Sequence, residues 1–86
     1  MKYKLIGFRP NHSQMRQMLG KNLIRINNGW LEKVYITGLK IGEDNKWEFV
    51  IASDTPLNDK EPLFISIKSA NRYAKKHHIM LNYKPQ

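Results

Sequence analysis

An Asn-Gly pair at residues 28 and 29 does more than any other feature to restrict how this chain can fold. A two-residue type I′ hairpin turn needs positive φ at both central positions, which Asn and Gly tolerate. The twist of that turn matches a pair of antiparallel strands. The turn also fixes the register on either side. Asn22–Asn27 (NLIRIN) alternates, with Ile24 and Ile26 on one face, and the return strand runs from Trp30 to about Ile41. Gly38 within so long a strand marks a bulge or bend. A second turn, GEDN at 42–45, leads into a third strand, Lys46–Ala52. There Trp47, Phe49 and Ile51 share one face and read as core. Such alternation suits an antiparallel meander with one wet face.

The flanks read less sharply. Residues 2–8 (KYKLIGF) have strand composition and end before Pro10, which lacks the N–H a ladder needs. Asn11 or Ser13 can cap a short helix with Met15, Met18 and Leu19 as its apolar stripe, and Gly20 stops it. Residues 53–62 (SDTPLNDKEP) are a loop by composition. Ser66 or Ser69 can cap a second helix over 67–78, whose apolar side holds Ile67, Ala70, Tyr73 or Ala74, and His77. Ile79–Tyr83 then alternates like a last strand. The order is β-α-β-β-β-α-β. The expected fold class is α+β, a small antiparallel sheet of four to five strands with two helices packed on one face. It forms a single compact domain over 1–86, with no internal repeat.

Composition removes several classes of function. With no Cys there is neither a disulfide framework nor a thiolate metal site. No apolar run approaches the roughly 20 residues that cross a bilayer. The apolar part of the N-terminus is too short for a signal peptide. The expected location is therefore cytoplasmic, with no membrane partner. No Gly-rich phosphate cradle or nucleophile motif occurs, and no cofactor is expected.

Charge is the functional clue. The chain of 86 residues carries a formal +8. Residues 1–31 hold six cations and no acid, residues 62–86 hold five cations and no acid, and all seven acids lie between them. If the two ends pack side by side, this segregation makes one cationic face, and such a face fits a polyanion. On the second helix Lys68, Arg72, Lys75 and Lys76 recur at i, i+4, i+7 and i+8, opposite the apolar positions. Lys75 and Lys76 complement the macrodipole at the C-terminal end; Lys68, in the first turn, does not. A phosphate ligand would offset both that misplaced charge and the repulsion within the stripe. The expected function is nucleic-acid binding, DNA or RNA, through phosphate contacts of Lys68, Arg72, Lys75 and Lys76, helped by Arg9, Arg16 and Lys21. Sequence specificity is expected to be low, since no base-reading set of Asn, Gln and Arg stands out. From Asn11 to His78 the expected α-β-β-β-α order is similar in layout to the double-stranded-RNA-binding domain, where a basic second helix crosses the backbone. SIKSANRYAKK does not carry that family's Lys-Lys-x-Ala-Lys pattern in register, so the likeness is one of layout.

Other functions compete with this one. Trp30, Tyr35, Trp47, Phe49 and Tyr73, interleaved with Lys33, Lys46 and Arg72, have the composition of a single-strand stacking platform. Most of these rings are needed for the core, and Trp30, just past the turn, is the one expected to be exposed. His12 near Arg9 and Arg16 would suit a small toxin-like ribonuclease. Adjacent His77 and His78 diverge on a helix and make no metal pair. Without a catalytic constellation the chain is read as a non-enzyme. A further alternative is a phage- or plasmid-type accessory protein that binds and inhibits or redirects a host nucleic-acid enzyme. A terminal edge strand, Lys2–Phe8 or Ile79–Tyr83, offers a route to a homodimer, blunted by Lys2, Lys4 and Lys84.

Overall fold

The computed structural model describes residues 3–7 and 9–82. The expected strand positions Lys2, Phe8 and Tyr83 and the tail residue Lys84 lie outside them. The elements are β1 (Lys4–Ile6), α1 (His12–Gln17), β2 (Asn22–Asn27), β3 (Trp30–Ile41), β4 (Trp47–Ala52), β5 (Pro62–Phe64) and α2 (Ile67–Lys76). The hairpin forms as its turn dictates: Asn28 has φ 52° and Gly29 φ 83°, and Leu23 pairs with Val34 and Ile26 with Leu31. β4 extends the meander, with a register shift between Ile36 and Gly38 where the glycine interrupts β3. The α1 cap is a full capping box: the Asn11 side chain accepts from Gln14 N–H and the Gln14 side chain accepts from Asn11 N–H, both at 2.9 Å.

Three expectations are corrected. The final strand at 79–83 does not form over its described part. Instead the chain turns back after α2, and Asn82 N–H donates to Gly29 O at 2.6 Å. Its place in the sheet is taken by β5, where Leu63 and Phe64 are both fully buried. Two adjacent apolar residues can fill both sides of a sheet, whereas Met80 would have brought a side chain that stays in water. The sheet is accordingly mixed: its order is β1-β5-β2-β3-β4, and β1 runs parallel to β5 while every other pairing is antiparallel. Lastly, the helices do not share a face. Leu63 belongs to the cluster of Met15, Leu23, Val34, Ile36 and Phe49, so α1 lies on that side. Phe64, its neighbour in the strand, belongs with Ile24 and Ala70, so α2 lies on the other.

The sheet curls until its edges approach. Tyr3, just before β1, reaches the opposite edge strand β4, where its Oη accepts from Phe49 N–H at 2.7 Å. Burial pushes the Tyr3 phenol above the usual tyrosine value of 10.0, the Phe49 N–H opposes this, and nearby Glu48 adds to it. The unfolded chain therefore loses this proton first as pH rises, and stability falls as pH climbs past the ordinary tyrosine value. In denaturant titrations between pH 9 and 11 the parent is expected to lose stability more steeply than Tyr3→Phe. Parallel pH profiles would remove the phenol from this account.

The interior face also holds a charged pair. Arg25 stands opposite Leu63, on the α1 side, and is 3% exposed; Glu61 is 7% exposed. Arg25 Nη2 donates to Glu61 Oε1 at 2.8 Å, and Nε lies 2.6 Å from Oε2 as an ion-pair contact. Nη1 donates to Thr55 Oγ1 at 2.6 Å and Thr55 O at 3.2 Å. One of the cations of the basic N-terminal third is thus spent inside, tying the 53–61 loop to β2.

Candidate nucleic-acid interface

α2 begins where Ser66 stops being helical. Its side chain accepts from Ser69 N–H at 3.1 Å, which fills one orphan donor of the first turn. Ala70 and Ala74, one turn apart, are the buried seam; their small side chains let the helix lie close on Ile24 and Phe64. Tyr73 packs on Phe64 at 5.0 Å between ring centroids and on His77 at 4.2 Å. His77 is thereby a packing residue at the C-cap. The helix ends in a Schellman turn: His78 takes φ 57°, and Ile79 N–H donates to Ala74 O at 2.8 Å.

At 100° per residue, Lys68, Arg72, Lys75 and Lys76 occupy an arc of about 100° centred opposite the Ala70–Ala74 seam. All four are exposed. The helix has no carboxylate in any turn, and its first turn carries Lys68 rather than an acid. Of the three acids in the 53–61 loop, Glu61 is engaged by Arg25. The stripe is therefore a cationic surface with its repulsion uncompensated inside the helix.

The remaining candidates are placed elsewhere. The chain ends do meet, since β1 pairs with β5, but they do not make one face. Arg16 lies in the last turn of α1, and Lys21 precedes β2 with its carbonyl bonded to Ile36 N–H. Arg9 lines a cleft beside His12, Lys46 and Trp47. These three exposed cations are separated from the α2 stripe because the two helices cover opposite sides of the sheet. Two cations read from the sequence in other roles do belong with α2. Lys33 pairs with Ile24, and Lys4 is two residues from Ile6 in the short strand β1, so both project on the α2 side and are exposed. The pairing dictated by the Asn28-Gly29 turn was the available signal for Lys33.

The aromatic assignments divide. Trp30 is 52% exposed, as its place after the turn implies. Phe49 is core, but Trp47, expected beside it, is 45% exposed. It sits at the start of β4, beyond the reach of the core cluster, and its ring meets His12 at 4.5 Å between centroids and 40° between planes. Among the described residues no group of three or more His, Asp or Glu could hold a metal ion, and no helix is long and apolar enough to cross a membrane. Compared with known proteins, the chain matches no family model, no curated protein and no solved structure.

Proposed function

We propose that the protein is a non-catalytic nucleic-acid binder that contacts phosphates through the outer face of α2, with little sequence preference. The observation that carries the reading is the four-cation stripe on an acid-free helix, exposed at all four positions and flanked on the same side by Lys4 and Lys33. Phosphates offset the mutual repulsion of these groups and release condensed counterions on binding. Lys68, Arg72, Lys75 and Lys76 form the contact surface. Arg9, Arg16 and Lys21 add to the long-range field that draws in a polyanion but do not touch the same strand of phosphates.

With about four to six phosphates engaged, log K is expected to fall with log salt at a slope of roughly −3 to −5. Reversing Lys68, Arg72 and Lys75 to Glu is expected to weaken binding to duplex DNA or RNA by at least about tenfold and to flatten that slope by about 3. The thermal midpoint should change little, because the three side chains are exposed. Unchanged affinity, or a salt-independent one, defeats the reading.

One observation favours a second reading, a small ribonuclease: His12 shares its cleft with two cations, Arg9 and Lys46. Incubating the parent and His12→Ala with labelled RNA separates the two. The binder reading expects no cleavage at high protein excess; His12-dependent cleavage would replace it.

A further inference from the structure

The cleft that holds Arg9 lies where the curled sheet meets α1, on the side away from α2. It encloses about 450 Å³, within the range of small-molecule sites. Its floor is apolar, from Leu5, Met15 and Phe49; its rim carries Arg9 from the segment after β1 and Lys46 from the turn before β4. Trp47 stands in the wall with its indole nearly half exposed, braced by the His12 ring. An exposed indole in a cleft whose lining includes two cations is a surface on which a flat anionic ligand gains twice, by stacking and by charge-assisted hydrogen bonding.

The acids of the cleft narrow the ligand class. Asp44 and Glu48 line the same space. Asp44 is presented by the turn, its Oδ1 accepting from Lys46 N–H at 3.3 Å. Carboxylates repel a ligand that is only anionic, such as a bare polyphosphate, and accept from one that also carries N–H donors. A nucleobase with amino or imino groups joined to a single phosphate meets all three demands: ring, anion and donors. We propose that this cleft binds a nucleoside monophosphate, the base on Trp47 with its donor edge toward Asp44, and the phosphate held between Arg9 and Lys46. The site uses none of the α2 cations and stands or falls apart from the phosphate stripe.

Trp30→Phe leaves Trp47 as the one tryptophan and thus as the reporter. Guanosine monophosphate is the probe, because guanine presents adjacent imino and amino donors. Saturable quenching of Trp47 at or below the millimolar range is expected. Guanosine and inorganic phosphate should each bind at least about tenfold more weakly. The Arg9→Ala, Lys46→Ala pair should weaken guanosine monophosphate by at least about tenfold. The triple reversal on α2 should leave the quenching unchanged. Calorimetry on the parent chain repeats the comparison if Trp30→Phe disturbs the hairpin. No saturable response at several millimolar, or equal affinity in the Arg9 and Lys46 double variant, overturns the assignment whatever happens at α2.

Discussion

Replacing Glu61 by alanine is expected to cost about 3–5 kcal/mol of folding stability, the usual penalty for stranding one member of a buried ion pair. For a chain of this length the total is only about 4–13 kcal/mol, so the variant should be largely or wholly unfolded at modest denaturant. The reason is local. A guanidinium does not shed its proton to escape burial, and at 3% exposure Arg25 cannot recover water. Glu61 Oε1 also accepts from Asn58 N–H at 3.1 Å, so the loop loses an anchor at the same time. Arg25→Met combined with Glu61→Leu should recover most of the loss, because removing both charges removes the desolvation problem. A cost below about 1 kcal/mol for Glu61→Ala, read from chemical denaturation midpoints, would mean that water reaches the guanidinium.

Phe64→Ala is the second large effect, at about 3–5 kcal/mol. Phe64 has no exposed surface and is the floor on which Tyr73 and Ala70 rest, so its removal opens a cavity beneath α2. Ala70 and Ala74 are too small to fill it. The loss should fall on the helix first: amide exchange in residues 67–76 should accelerate more than in the β2–β3 hairpin. If α2 presents the phosphate-binding stripe, affinity should drop with its order even though every cation is retained. A variant that loses stability but keeps slow exchange in α2 would show that the helix is held by something other than this ring.

Much of the architecture was legible because the signals were local. Asn28-Gly29 fixed a turn and Gly38 a register shift, and of the candidate caps Asn11 or Ser13 and Ser66 or Ser69 the first of each pair starts its helix. The α2 stripe followed from helical period alone. What could not be read depended on contacts distant in sequence. Pro62–Phe64 is too short to show a period, and its parallel partner lies near the other end of the chain. β2 reads Leu23, Ile24, Arg25, Ile26, apolar on both sides, so nothing in it says which helix covers which face. Arg25 looks like a surface cation in the sequence, yet it stands in line with Leu23 and so had to find an acid inside. Trp47 follows the parity of Phe49 and Ile51, but parity gives direction, not depth, and a strand end runs past its core. The cleft of Arg9, His12, Lys46 and Trp47 draws on segments that meet only once the sheet has curled.

The parallel seam between β1 and β5 has a consequence for how the chain is born. Lys4 is synthesised well before Pro62, its neighbour in the sheet, because β2, β3 and β4 all lie between them in the chain. The amino-terminal strand must therefore wait, unpaired, while the hairpin and meander assemble behind it, and it docks as one of the last events of folding. Three residues of exposed ladder, one of them a lysine, are a small hazard to carry through that delay.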